Sequence, residues 1–218
     1  MDKRMKKDDL AAIAFLALVI AIFVYPKSYA AYTRWYQAAP AALSFLKFAV
    51  LAVFGEMLVA RIQRGRYVPP AFGLLPKAVV WGVLGVFIWA AFGIFAGGVT
   101  ATFFSEVVDP GLWMRVFRAF TISLCMNIIF APLMMLIHHL SDLHIAASGG
   151  RFPLKSLRVQ ELLQQVNWEK MWGFVYKRTI PLFWIPAHTV TFLLPEHLRV
   201  LYAVFLSIVL GLLLAVKR

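Results

Sequence analysis

The longest uncharged stretch of the chain runs from Ala78 to Ser105 and contains no Asp, Glu, Lys or Arg. A helix needs about 20 apolar residues to cross the hydrocarbon core of a bilayer. A helix that is apolar on every side belongs in a soluble protein only if a large core surrounds it, and a chain of 218 residues cannot supply one. The stretch therefore predicts a membrane span, and similar blocks elsewhere predict a polytopic membrane protein.

The composition excludes most soluble classes. Hydrophobic residues make up 62% of the chain and charged residues only 15%, against about 45–50% apolar residues in soluble domains. A net charge of +12 would suggest a nucleic-acid partner if it formed a patch. The basic residues instead mark the ends of apolar blocks, so we expect no nucleic acid. The single cysteine, Cys125, cannot form a disulfide within the chain.

Six apolar blocks predict an all-α bundle of about six membrane-embedded helices, forming a single integral membrane domain over residues 1–218. The blocks are residues 10–25, 40–60, 78–104, 114–140, 179–194 and 200–216. The last two are short and separated only by residues 195–199. They are two tight spans, or a half-buried helix that leads into one span.

The N-terminal segment combines a basic start, an apolar run and the small-residue pattern of residues 28–30. This combination is compatible with a cleavable signal peptide. The acidic pair Asp8 and Asp9 argues against an organellar presequence. We expect a retained signal-anchor helix.

The charge distribution predicts the sidedness of the chain. If all six blocks cross the membrane, 16 of the 22 Lys and Arg residues lie on the side that holds both termini. Basic residues accumulate on the untranslocated side, and the loop with Glu106 and Asp109 contains none. We therefore expect both termini on the cytoplasmic side of a bacterial inner or organellar membrane, with anionic lipid headgroups bound at this basic face.

The longest segment between blocks contains a predicted amphipathic surface helix. Its apolar residues have the i, i+3, i+4, i+7 spacing of one helical face and are Val159, Leu162, Leu163 and Val166. Polar residues lie between them, as in a helix that rests on a membrane surface.

Small residues at four-residue spacing predict close helix packing in lipid. One seam in the third block contains Gly82, Gly85, Gly93 and Gly97; a second, in the last block, contains Ala203, Ser207, Gly211 and Ala215. We expect packing within the bundle. The alternative is contact with a second copy in a homo-oligomer.

Polar residues inside the apolar blocks predict a solute path. Trp184, His188 and Thr191 fall on one helical face, and Asn127 lies near the middle of the fourth block. An amide in hydrocarbon needs a partner. These four residues either line a wet cavity or form hydrogen bonds within the bundle.

Charged residues at the ends of blocks predict the mouths of such a path. Arg115 and Arg118 would attract anions at one mouth. Lys47 and Glu56 are nine residues apart and face opposite sides of a helix. Glu56 is a second candidate charge site or pairs with Arg61 at the helix end, and Lys47 is expected to snorkel.

Enzymatic motifs are missing: the chain contains no GxSxG, phosphate-binding glycine loop, HExxH or CxxC. We expect no enzyme and no cofactor. His138 and Asp142 are one helical turn apart, but two ligands at a helix end are a weak metal signal. We expect a solvated cap and no metal site.

The C-terminal part resembles the W-P-x-x-Q-x-x-N-F-x-x-V-P-x-x-x-R signature of the Mpv-seventeen/peroxisomal membrane protein two family. The matching residues are Trp184, Phe192, Pro195 and Arg199, with His188 at the Gln and Thr191 at the Asn. One residue is missing between Phe192 and Pro195, and Ile185 replaces the first proline.

Weaker similarities precede this signature. Residues Tyr29, Tyr32, Pro40 and Gly55-Glu56 resemble the early W-x-x-Y, Pro and Gly-Asp, and residues 127–132 resemble Q-G-G-F-A-P, with Met126 where the family has Asp. The resemblance covers residues 28–218 and leaves residues 1–27 as an added helix.

The resemblance implies a small integral membrane protein. Some members of the family are described as weakly selective pores for small solutes. The first hypothesis is therefore a channel or facilitator for small polar or anionic solutes. The second is a non-conducting structural or lipid-interacting membrane protein.

Overall fold

The computed structural model describes residues 7–107 and 111–216, which form nine helices and no strand. Asp109 lies outside the described residues. The helices are α1 (Lys7–Val24), α2 (Pro26–Ala38), α3 (Pro40–Arg64), α4 (Leu74–Phe103), α5 (Leu112–Ile129), α6 (Ala131–Ala147), α7 (Val159–Gln165), α8 (residues 168–193) and α9 (Glu196–Val216). The expected all-α helical bundle is confirmed.

Within residues 7–107 and 111–216, four helices are long and apolar enough to cross a membrane: α3, α4, α5 and α9. Helices α1 and α2 add a fifth span if they are counted together, although the chain bends by 82° between them. The expected number of about six is therefore corrected to four or five. The predicted fifth block lies in α8, which also contains Lys177, Arg178 and His188 and is not among these helices.

The predicted fourth block is divided into two helices. Helix α5 ends at Ile129 and α6 begins at Ala131. Pro132 has no backbone N–H to continue the hydrogen-bond ladder, which accounts for the break. The predicted fourth block therefore corresponds to two helices. Helix α5 is a candidate span, and α6 is not.

The outer surface of the bundle is apolar. Leu75, Trp113 and Leu182 are 74%, 84% and 76% exposed. Soluble monomers rarely expose many large apolar side chains together, whereas a lipid environment requires them. This surface supports a multi-pass membrane protein.

The interior is a packed apolar core formed by α3, α4, α5, α8 and α9. Its central side chains are Phe48, Phe92, Met126, Phe192 and Val204. Helix α1 lies outside it, because none of its residues is buried. Contacts that attach α1 include ring contacts of Phe15 with Phe54 and of Phe23 with Tyr32, and an ion pair between Asp9 and Arg61.

The glycines of α4 fall into two groups. A Cβ at Gly82 would lie 2.5 Å from the ring of Phe45, and one at Gly85 would lie 2.7 Å from Phe48. These two glycines allow α3 to approach closely. At Gly93 and Gly97 a Cβ would meet nothing within 4 Å, so the expected packing within the bundle is wrong at these positions.

The small residues of α9 lie against α3. Ala203 and Ala215 are buried, and Ser207 is partly buried. A Cβ at Gly211 would lie 3.3 Å from Val59 of α3. This face of α9 therefore packs within the bundle.

Two helices contain π-helical segments, Phe48–Ala52 in α3 and Met171–Trp184 in α8. Pro181 lies inside the second segment and cannot donate a backbone hydrogen bond. The wider turns end at Trp184, where regular α-helix begins again. π-Helical segments are rare in proteins, and those that occur often lie at functional sites.

The predicted surface helix is present as α7. Leu162 and Val166 are buried, whereas Val159, at the start of the helix, is 49% exposed. Helix α7 packs on α6. The apolar face is therefore used for packing at its C-terminal end only.

A line of cavities through the helix bundle

Four cavities in the described part of the chain can be ordered by the wall residues that neighbouring cavities share, and we call this series the line of cavities. The first, the basic-end vestibule, has a volume of about 510 Å³ and is bordered by α3, α4, α6 and α9. The second, the central cavity, holds only about 50 Å³. The third, the aromatic groove between α2, α4 and α9, has about 560 Å³, and the fourth, the arginine pocket, about 330 Å³.

Adjacent cavities share wall residues. The vestibule and the central cavity share Trp81, Met135, His138, Trp184 and Ser207. Phe92 separates the central cavity from the aromatic groove, and Arg199 separates the groove from the arginine pocket. The four cavities therefore form one interrupted line.

A larger cavity of about 1010 Å³, the peripheral groove, lies on the outside of the bundle between α1 and α3. It contains none of the predicted path residues. It shares no wall residue with the central cavity, the aromatic groove or the arginine pocket.

A cluster of charged side chains lines the vestibule. The Nζ of Lys77 is 2.6 Å from Oε2 of Glu56 and also bonds Asp142. The Nε1 of Trp81 donates to Oε1 of Glu56 at 2.6 Å, and Nε2 of His138 lies 3.3 Å from the same oxygen. The cluster joins α3, α4 and α6.

This arrangement corrects two sequence-based expectations. Glu56 does not pair with Arg61, whose guanidinium binds Asp9 at 2.7 Å. His138 and Asp142 do not form a solvated cap; they complete the cluster around Lys77. Sequence reasoning missed Lys77 because its two partners come from helices distant in sequence.

The protonation of His138 depends on this cluster. Burial disfavours the charged imidazole, but attraction to Asp142 and the hydrogen bond to Glu56 outweigh burial, so the pKa of His138 is raised. When it is protonated, His138 adds a second positive charge to a site with two carboxylates. The ring of Trp81, 4.2 Å away between centroids, packs against the imidazole.

Three groups of the cluster have donor atoms suited to a divalent cation. Ligand atoms of Glu56, His138 and Asp142 lie within 4.8 Å of one another. Lys77 already binds both carboxylates, so its ammonium occupies the place of a cation. The side-chain cation makes a metal unnecessary for charge balance here.

The central cavity is lined by three of the predicted path residues, Asn127, Trp184 and His188, and the first and last of these meet each other. Nδ2 of Asn127 lies 3.1 Å from Nδ1 of His188, and it donates to the backbone oxygen of Ser123 at 2.8 Å. The hydroxyl of Ser123 donates to the backbone oxygen of Ile185 at 2.7 Å. Asn127 thus links α5 to α8 and also faces the cavity.

Trp184 lines both the vestibule and the central cavity. It is 6% exposed, and its Nε1 is buried without a hydrogen-bond partner among the described residues. A buried N–H without an acceptor costs about 1–3 kcal/mol. An oxygen atom in the cavity, from water or a solute, would satisfy it.

Thr191 does not line the four cavities. It is fully buried, and its hydroxyl donates to the backbone oxygen of Ala187 at 3.1 Å. The predicted lining role of Thr191 is therefore wrong, because its single donor is used within α8.

Arg115 and Arg118 lie at the opposite end from Glu56, near the start of α5. Both line the arginine pocket together with Arg199 from the first turns of α9. Sequence reasoning placed the first two at a mouth and did not include Arg199, which α9 brings next to them.

Lys47 is buried and does not snorkel. It is 6% exposed, and its Nζ donates to the hydroxyl of Tyr32 at 3.3 Å. The ammonium also lies 5.4 Å and 5.6 Å from the ring centres of Tyr32 and Tyr36. The hydroxyl of Tyr32 in turn bonds the backbone oxygen of His197, which connects α2 to α9.

No protein-family model, curated protein or solved structure matches the chain.

Proposed function

We propose that the protein is a membrane facilitator that passes small polar or anionic solutes along the line of four cavities. The shared walls of consecutive cavities carry this proposal. Wide cavities lie toward both ends, with a narrow constriction between them. A closed solute path has this shape.

The constriction sets the size of what can pass. The central cavity of about 50 Å³ has room for only a few waters. Phe92 and Trp184 form its walls toward the two wider cavities, so these rings must move for a solute to pass. The described conformation is therefore an occluded state.

The chemistry of the walls favours solutes that carry oxygen atoms. Trp184 offers an unused donor, and Asn127 and His188 add a polar pair at the narrowest point. Ionisable and polar groups at membrane depth are costly and usually face a cavity or another helix. Arginines at one end would attract anions from the aqueous phase.

The resemblance to the Mpv-seventeen/peroxisomal membrane protein two family agrees with this role, since some members are described as solute pores. The ion pair between Asp9 and Arg61 brings the start of α1 to the end of α3, and the Lys and Arg residues between positions 61 and 77 favour a cytoplasmic location for this end of the bundle. On this basis the vestibule opens to the cytoplasm and the arginine pocket to the opposite side.

Flux in proteoliposomes tests the proposal. Purified protein should release trapped small carboxylates and sugars faster than protein-free liposomes, with rates that fall as solute size increases. His188→Leu should slow the flux several-fold, because an apolar side chain replaces the polar group at the constriction. Thr191→Val is the matched control and should not change it.

Two results would overturn the proposal. The first is flux no faster than in protein-free liposomes for every solute. The second, flux that His188→Leu and Thr191→Val leave equally unchanged, would exclude the central cavity as the path.

A second candidate function is lipid binding without conduction, and the peripheral groove favours it. Phe15, Val50 and Leu75 give the groove apolar walls, and Arg61 and Arg66 lie at one end. A phospholipid fits this combination of apolar and basic surface. Retention of anionic lipid in native mass spectrometry, lost in Arg66→Gln, together with absent flux would favour this function.

A further inference from the structure

Three arginines line one small cavity at the end of the bundle opposite the vestibule. Arg115 and Arg118 are one helical turn apart on α5, and Arg199 comes from α9. The cavity of about 330 Å³ is bordered by the turn between α8 and α9, with Leu194 and Pro195 in its wall.

Arg199 is held in place for this cavity. Its Nε donates to the backbone oxygen of Leu194 at 3.1 Å, and its guanidinium lies 5.7 Å from the ring centre of Phe192. The side chain is only 19% exposed. These two contacts fix the orientation of the planar guanidinium beside the cavity.

The positive charges are poorly balanced within the described part of the chain. Among the described residues, Arg199 pairs with Glu196, whose Oε1 is 3.8 Å from Nη1 of Arg199 and whose side chain is 75% exposed. Such an exposed ion pair stabilises little. Arg115 and Arg118 form no ion pair with any described residue.

Gathering like charges has an energetic cost. Two unit charges 4 Å apart repel by about 1 kcal/mol in water and by several times more in a less polar environment. Arg118 lies close enough to Arg199 for this repulsion to act on it. An anion between the guanidinium groups would turn the repulsion into attraction.

We propose that the arginine pocket binds a phosphate group, carried either by a soluble phosphate compound or by a phospholipid headgroup. Guanidinium groups bind phosphate oxygens through paired hydrogen bonds, which makes arginine the preferred residue for this group. Three of them can surround one tetrahedral anion. A carboxylate could occupy only part of this donor set.

This inference deepens the proposed function by naming the solute class at one mouth, and it rests on that function only for the role of binding in transport. Binding itself needs no flux. The two proposals can therefore fail independently.

Protection from phenylglyoxal tests the site on the wild-type protein. Purified protein in neutral detergent is treated with the reagent, with and without inorganic phosphate, and each arginine is followed by mass spectrometry. Phosphate should slow modification of Arg115, Arg118 and Arg199 at least several-fold. Arg34, an exposed arginine of α2, is the internal control and should react at the same rate throughout.

A second arm distinguishes the two sources of phosphate. Protein in phosphate-free neutral detergent is compared with protein in nanodiscs of phosphatidylcholine, whose headgroup is a phosphodiester, and in nanodiscs that also contain phosphatidic acid, whose headgroup is a phosphate monoester. Protection by inorganic phosphate assigns a soluble ligand. Protection only by phosphatidic acid assigns a headgroup. If neither inorganic phosphate nor phosphatidic acid changes the rate at which phenylglyoxal modifies Arg115, Arg118 and Arg199, the inference is overturned.

Variants give an independent measurement. Arg118→Gln should weaken binding of radiolabelled phosphate in equilibrium dialysis about tenfold, while Arg34→Gln should leave it unchanged. Equal binding by both variants would contradict the site. Phosphate protection without any solute flux would refute the proposed function but not this inference. Solute flux without phosphate protection would refute this inference but not the proposed function.

Discussion

Replacing Lys77 should destabilise the bundle more than replacing any exposed lysine. The ammonium is the cation between Glu56 and Asp142, and its side chain is 12% exposed, against 23% and 33% for the two carboxylates. Lys77→Met keeps the length of the side chain but leaves both carboxylates without their strongest partner. His138 alone would then face two negative charges.

The expected loss follows from this partial burial. Removing one partner of a fully buried ion pair costs about 3–5 kcal/mol, and exposed pairs contribute about 0–1 kcal/mol. The Lys77 cluster lies between these limits, so we expect Lys77→Met to lower the free energy of unfolding by about 2 kcal/mol. That is roughly a 30-fold change in the folding equilibrium.

Unfolding in mixed micelles with increasing denaturing detergent measures this loss. Lys27→Met is the control, since Lys27 lies on the exposed surface of α2. The double variant Glu56→Gln/Lys77→Met should lose less than the sum of the single losses, because removing one carboxylate relieves the repulsion. A Lys77→Met loss no larger than that of Lys27→Met would refute the reasoning.

Three further predictions concern other parts of the bundle. Gly85→Ala should lower the free energy of unfolding by about 1–3 kcal/mol, because its Cβ would lie 2.7 Å from Phe48. Gly97→Ala should have no effect, since its Cβ would meet nothing within 4 Å. Equal losses of stability for the two variants in thermal unfolding would contradict this assignment. Trp184→Phe should slow solute flux without lowering the unfolding temperature, since it removes a donor that no described residue uses. Because the pKa of His138 is raised in the folded protein, its stabilising contribution should be complete below about pH 6.5 and fall as pH rises through the folded pKa. The difference in unfolding temperature between wild type and His138→Gln should therefore shrink at higher pH, and a difference that grows with pH would contradict the charge assignment.

The sequence predicted the membrane class and most helices, because both depend on local composition. In an apolar environment, the backbone N–H and C=O groups of an uncharged stretch such as residues 78–105 find their hydrogen-bond partners within a helix. The break before Pro132 was not predicted, although proline was the local signal for it. Block length alone merged α5 and α6.

The charged cluster could not be predicted from one sequence. Lys77 follows a basic loop and reads as a charge that marks the end of a span. Its partners, Glu56 and Asp142, are 21 and 65 residues away in sequence, and only the packing of α3, α4 and α6 brings them together. Helical periodicity describes one helix and says nothing about which faces of separate helices meet.

The small residues show the same limit. Gly85 and Gly93 are both glycines of an apolar stretch of α4, yet a Cβ at the first would meet α3 and a Cβ at the second would meet nothing within 4 Å. Asn127 and His188 were both predicted to be polar groups of the interior, and their mutual contact needed the antiparallel pairing of α5 and α8. Thr191 lies on the same predicted helical face as His188, but its hydroxyl donates within its own helix.

Impermeant maleimide labelling of single-cysteine variants tests the central claim, which requires the two ends of the cavity line to open on opposite sides of a membrane. Native Cys125 is replaced by alanine, and Glu106→Cys and Lys170→Cys are labelled in sealed vesicles of known orientation; both positions are exposed. We expect the reagent to reach one of them in intact vesicles and the other only after permeabilisation. Labelling of both from the same side would contradict the account.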